Sequence, residues 1–255
     1  MSLFALKLAL VAAAIVAATA AARRWGHAAS GLMAGLPMII GPITAVLLFD
    51  QSAERVRAIL LATLQCQPAM LLHVWLFAHA ARRLPWPLCL VLANAVYLLL
   101  AWALTRLDLG LAPATALVVI TWLASVRAWP HTVGADSGRV TVPRGELWWR
   151  MGIAVTVAAA VIQGAAQMPA AWGGVLLALP ITGNVLPAFT LPRHGPQATA
   201  LLLRGFVHGQ IGFTAFVVSM ALMLPWLHAA AAFVLAVAAA MLVPWLPRWN
   251  RRVST

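Results

Sequence analysis

The chain has 255 residues, of which 64% are hydrophobic and only 9% charged, with a mean hydropathy of +0.94 and a formal net charge of +12. That balance leaves too little polar surface to coat a soluble globule and points to an integral membrane protein. The basic residues are nearly all arginines set singly or in pairs between apolar runs, with no basic face or interleaved aromatics, which argues against nucleic-acid binding. Cys66 and Cys89 each lie inside an apolar run, so neither a disulfide framework nor a CxxC metal or redox pair is available.

A bilayer core about 30 Å thick calls for about 20 apolar residues per helix. Runs of that kind fall at 3–22, 29–49, 56–80, 85–105, 110–128, 150–167, 173–191, 197–223 and 226–246. The first run ends in "AATAA", which has the small residues of a signal-peptide cleavage point. Lys7 nevertheless sits inside the run rather than before it, Arg23 and Arg24 follow at once, and the segment has a counterpart later in the chain, so a retained helix is expected. The second run contains "GLPMIIGP", with Pro37 and Pro42, and the third carries Gln65, Gln67, His73 and His79. After the fifth run comes the longest polar stretch, "RAWPHTVGADSGRVTVPRGELWWR", which reads as a linker. The seventh run contains "ALPITGNVLP", with Pro180 and Pro187, and the eighth carries Arg204, His208 and Gln210. Most tryptophans stand at span ends, as an interfacial belt requires.

Sliding the second half onto the first at a constant offset brings Lys7 onto Arg150, Gly31 onto Gly174, Leu36 onto Leu179, Pro37 onto Pro180, Leu60 onto Leu203 and Gln67 onto Gln210. Alanine and leucine matches are cheap in this composition. The weight lies on the rare residues: a charge at a helix entrance, a helix-breaking proline and a glutamine deep in the third helix of each half. Five spans precede the second copy, so the copies must lie upside down to one another. The expected fold is therefore an all-α polytopic integral membrane protein of about nine transmembrane helices. It is built as an inverted repeat of about five plus four, with one Pro/Gly-broken helix in each half. Residues 1–128 form the N-terminal repeat, 129–149 a cytoplasmic linker and 150–255 the C-terminal repeat of a single membrane domain.

Cytoplasmic loops collect Lys and Arg. An outside N-terminus puts Arg23, Arg24, Arg82, Arg83, Arg127, Arg139, Arg144, Arg150, Arg193, Arg248, Arg251 and Arg252 inside, and leaves Lys7, Arg55, Arg57 and Arg106 on the other face. The arrangement expected is multi-pass in a bacterial inner membrane, N-terminus periplasmic and C-terminus cytoplasmic.

Proline removes a backbone N–H and clashes with the preceding turn. Non-helical backbone at membrane depth survives only where protein buries it or where it lines a watery cavity. Paired interrupted helices in two inverted halves are the sequence pointer to a transporter binding site at the midplane. Pro37, Pro42, Pro180 and Pro187 mark the breaks; Gly41 and Gly183 allow close backbone approach; Thr44, Thr182 and Asn184 offer hydrogen bonds. Arg204, roughly 10 Å into its span by helical rise, favours an anion, and His208 lies one turn on along the same face. Gln210, its mate Gln67, and Gln65, which aligns with His208, complete a ring of hydrogen-bonding groups, with His73 extending it along the third helix.

His73 and His79 lack the i, i+4 spacing of a metal pair, and the methionines show no ligand spacing, so no metal site and no cofactor is expected. There is no P-loop, no HExxH and no Asp-rich motif, and Ser30 in "HAASGLMAG" has no partner for intramembrane proteolysis, so the chain is not expected to be an enzyme. The function expected is a secondary transporter or permease for a small anionic or polar organic solute. Its partners would be the lipid bilayer and that solute, with the proton as candidate coupling ion and a homodimer as candidate assembly. The alternative is a non-catalytic membrane subunit or lipid-handling protein whose broken helices are structural, ahead of a metal-ion transporter or a protease.

Overall fold

The structure, a computed structural model, describes residues 3–130 and 144–243. The middle of the polar linker, with Arg139, and the C-terminal arginines Arg248, Arg251 and Arg252 lie outside the described residues. The described chain is all-helical: α1 (Leu3–Trp25), α2 (His27–Gly35), α3 (Ile40–Asp50), α4 (Ala53–Ala80), α5 (Trp86–Leu104), α6 (Leu111–Arg127), α7 (Arg144–Gln167), α8 (Ala170–Leu177), α9 (Ile181–Met223) and α10 (Ala229–Leu242). Four stretches are long and apolar enough to cross a membrane, namely His27–Asp50, Ala53–Ala80, Trp86–Leu104 and Ala170–Met223, consistent with a helical membrane protein.

Two of the expected runs are interrupted, at the prolines where breaks were expected, and a third begins earlier than expected. The run at 29–49 is two helices, α2 and α3, separated at residues 36–39, and the run at 173–191 is α8 plus the start of α9, separated at residues 178–180. The helix expected from Arg150 begins at Arg144, which brings Glu146 into a buried helical turn instead of the linker. α9 itself turns at Gly195, whose φ of 78° only glycine adopts without strain, between Pro192 and Pro196.

The two breaks have the same local geometry. At the first, Leu36 N–H donates to Met33 O (3.2 Å), Met38 N–H to Leu36 O (2.7 Å) and Gly41 N–H to Pro37 O (2.9 Å). At the second, Leu179 N–H donates to Leu176 O (3.2 Å), Ile181 N–H to Leu179 O (2.8 Å) and Asn184 N–H to Pro180 O (2.8 Å). Pro37 and Pro180 thus each open a new helical segment, where a missing N–H costs nothing. Pro42 and Pro187 sit inside α3 and α9 and break neither.

The core is built on backbone contact. α2 lies against the second part of α9, with Gly31 and Gly35 facing Leu202, Phe206 and Gly209, while Gly205 and Gly209 face Ala28, Leu32 and Gly35. A methyl group on Gly31 would stand 1.7 Å from Leu202 O, and one on Gly205 2.0 Å from Ala28 O. These are two GxxxG pairs used as membrane helices use them, to let backbones meet. α8 meets α4 in the same manner, with Gly174 set against Ala62 and Thr63. Around this centre α5 packs on α4 through the i, i+4 stripe Cys89, Ala93, Tyr97 and Ala101, and α10 packs on α9 through Ala232, Ala236 and Ala240. α1 and α7 lie against each other, burying Val11, Ile15 and Ala18 on one and Ala154, Ala158 and Val161 on the other.

Gly205→Ala should lower stability by about 3 kcal/mol or more, because the new methyl overlaps backbone that cannot move aside. Gly152→Ala, with nothing within 4 Å of the added methyl, should leave stability unchanged or slightly raised. Thermal unfolding of the detergent-purified variants measures the contrast, and equal midpoints would contradict the packing.

Candidate functional site

Breaking α2 in an apolar setting leaves its last carbonyls without helical donors. Two side chains from the other half of the chain supply them. Thr182 Oγ1 donates to Ala34 O (3.0 Å) and Gln210 Nε2 donates to Gly35 O (3.2 Å). Gln210 is in turn held by Gln67, whose Nε2 donates to Gln210 Oε1 (3.1 Å) and to Thr214 Oγ1 (2.7 Å). Both glutamines are fully buried, and Gln67 Oε1 has no protein donor. The expected glutamine pair therefore meets at the centre, one member capping a broken helix and the other keeping an open acceptor.

A second polar group lies beside it. Asn94 and Asn184 exchange amide bonds, Nδ2 of Asn94 to Oδ1 of Asn184 at 2.9 Å and Nδ2 of Asn184 to Oδ1 of Asn94 at 3.1 Å. His73 Nε2 is 2.9 Å from the same Asn184 oxygen. A carboxamide oxygen only accepts, so His73 carries its proton on Nε2, and the buried Nδ1 is left as an acceptor without a partner. Tyr97 closes the cluster edge-on to the His73 ring and donates its hydroxyl to Val175 O. Asn94 is absent from the sequence-based set, although an asparagine inside "LVLANAVYLLL" was the signal.

Cavities follow these groups. A small chamber of about 40 Å³, room for a water or two, is walled by Leu36 and Ile39 of the first break, Leu179 and Pro180 of the second, and Thr182 and Gln210. Across Ile181 lies a groove of about 500 Å³, floored by Asn94 and Asn184 and walled by Trp86, Ile153, Val157 and Phe189. Phe189 and Pro192 then separate the groove from an open mouth of about 520 Å³ at Glu146, Trp149 and Arg193. On the far side, a separate cavity of about 470 Å³ runs between α3 and α10, along Ala45, Phe49, Ala229 and Phe233.

The remaining expected residues fall elsewhere. Gln65 ties α4 to the turn before α6 by donating to Leu109 O (2.8 Å). Thr44 is buried with its hydroxyl unpartnered, and an added methyl on Gly41 would meet nothing within 4 Å. Gly183 is tight against the Pro180 ring. Arg204 is exposed and lines none of these cavities, and His208 bonds back to Arg204 O (2.7 Å) with its ring edge-on to Trp122. The expectation that Arg204 meets a solute within the membrane interior does not fit this position: the inward face of α9 is taken by Leu203, Phe206, Val207 and Gln210, which turns residue 204 outward. The buried charge lies instead at Glu146, whose carboxylate pairs with Arg150 through Oε1 and with Arg193 through Oε2 (3.1 Å).

Gln210→Leu leaves Gly35 O unpaired and strips Gln67 of one of its two side-chain acceptors, and should cost about 1–3 kcal/mol. Thr156→Val, whose exposed hydroxyl bonds only within its own helix, should stay within about 0.5 kcal/mol. Denaturant titration read by tryptophan fluorescence separates the two. Comparison with protein-family models, with curated proteins and with solved structures finds no match to this chain.

Proposed function

We propose that the chain is a secondary transporter of the bacterial inner membrane, moving a small polar or anionic organic solute past a midplane site between two broken helices. One observation carries this: both breaks meet at one chamber, and Gln210 stands on its wall. Interrupted helices that face each other across a shared cavity are the arrangement by which transporters present half-helix ends to a solute.

The inverted repeat belongs to the same proposal. An offset of 143 residues relates Gln67 to Gln210, and the same offset carries each bond of the first break onto a bond of the second. It also carries the buried faces of α1 and α5 onto those of α7 and α10, leaving α6 as the connection between halves. With the kink at Gly195 taken as the end of one span, nine spans result: α1, α2–α3, α4, α5, α6, α7, α8 with the first part of α9, the rest of α9, and α10. The N-terminus is then periplasmic and the C-terminus cytoplasmic. No catalytic step is assigned to the chain.

The same offset relates the groove to the far cavity: Trp86 maps to Ala229, Leu90 to Phe233, Ala188 to Ala45 and Pro192 to Phe49. Two related vestibules opening on opposite faces are what alternating access needs, and their depths differ. The groove reaches Ile181 and Asn184, whereas the far cavity stops about two turns short of the equivalent level. That difference favours a conformation open towards the cytoplasm and shut on the other side. The mostly apolar chamber wall favours the alternative, in which the breaks serve packing alone.

Single cysteines at Ala188 and Ala45, in a Cys66→Ala, Cys89→Ala background, should react with impermeant thiol reagents from opposite faces of the membrane, Ala188 from the cytoplasm. Labelling of both from one side would defeat the proposal. Ile181→Trp, which plugs the wall between groove and chamber, should cut solute flux into proteoliposomes by at least about tenfold, a barrier change near 1.4 kcal/mol, while leaving expression intact.

A further inference from the structure

The groove and its mouth together have the form of an amphiphile site. Phe189 and Pro192 line both, so an apolar slot adjoins a charged opening across these two side chains. From Pro192 to Ile181 the slot descends about 16 Å at helical rise. That is about half of a hydrocarbon core of about 30 Å, the depth of one leaflet. Its two walls, α5 and α7, share no extended contact among the described residues, so the slot is open between them while α9 forms its back. Trp149 stands exposed at the mouth and Trp86 on the wall of the slot, the residue type that marks the head-group level.

Among the described residues, guanidiniums outnumber carboxylates at the mouth. Two guanidiniums, of Arg150 and Arg193, share the single carboxylate of Glu146. Arg150 is buried, with its guanidinium over the Phe189 ring and its Nε without a partner, whereas the Arg193 side chain is 46% exposed and free to turn donors outward. A half-exposed guanidinium next to an apolar slot offers a lipid phosphate bidentate bonds, and a second guanidinium beside it favours a head group of net negative charge over a zwitterionic one with the same phosphate.

We infer that this groove binds an anionic phospholipid drawn sideways from the leaflet, with its phosphate at Arg193 and one acyl chain lying between α5 and α7 down to the Asn94–Asn184 pair. The groove is also the cytoplasmic vestibule of the proposed transporter, but lipid binding is read without flux. Retained lipid with no transport, or transport with no retained lipid, separates the two.

The test is native mass spectrometry of the full chain in neutral detergent, with phosphatidylglycerol and phosphatidylcholine of the same chains in competition and glycerol phosphate as the head group alone. Phosphatidylglycerol should be retained over phosphatidylcholine by about tenfold or more, Arg193→Gln should remove that preference, and glycerol phosphate should not displace the lipid. Ala188→Trp, which fills the slot, should abolish retention. Equal retention of the two lipids means ordinary annular lipid and overturns the inference. So does displacement by glycerol phosphate, which makes the site one for a free anion, or unchanged retention in Ala188→Trp. Should Ala188→Trp fail to fold, the lipid competition in wild type and in Arg193→Gln decides by itself.

Discussion

A carbonyl released from a helix inside an apolar medium must find a donor within the protein, and the architecture turns on where the donors for α2 come from. Ala34 O and Gly35 O are met by Thr182 and Gln210, both from the distant half of the chain. Those bonds form only if α2 lies within backbone contact of α9, which the glycines at 31, 35, 205 and 209 permit. Side chains of ordinary size at these positions would push the helices apart by more than a hydrogen bond tolerates. The break, the glycine seam and the glutamine pair are therefore one device, and neither half of the chain satisfies its own backbone without the other.

The two halves are alike in their breaks and unlike in what surrounds them. Gln210 caps Gly35 O, whereas its mate Gln67 spends its amide on Gln210 and Thr214 and keeps a bare acceptor. The amide pair at Asn94 and Asn184 corresponds to Val237 and Gly41 in the other half, and the Glu146 cluster sits at only one end of the bundle. The Asn94–Asn184 pair and the charged Glu146 cluster both lie beside the groove lined by α5, α7 and α9.

Charge placement follows the same economy of burial. Arg55 and Arg57, two of the exceptions to the arginine asymmetry read from the sequence, donate to Met168 O (3.2 Å) and Ala221 O (2.9 Å), carbonyls at the ends of α7 and α9. Cations at helix C-termini complement the dipole, which gives these two a local reason for their positions. At Glu146, one carboxylate between two guanidiniums offsets a burial that an unpaired Arg150 would not survive.

The sequence by itself determined what depends on composition and short-range pattern. The membrane class follows from apolar excess, the breaks from Pro37 and Pro180, and the deep glutamines from their rarity in apolar runs. The GxxxG pairs were equally legible in "GLMAG" and "GFVHG". Tertiary structure alone decided which of the polar residues meet. Asn184 joins Asn94 and His73 across 90 and 111 residues of chain, a pairing set by how α9 lies against α5 and α4 and not by any spacing. Arg204 and Gln65 carry the same chemistry as Arg193 and Gln67 but point to the surface or to a loop, because one helical step of about 100° separates a seam position from an outward one, and only packing fixes which angle faces the centre.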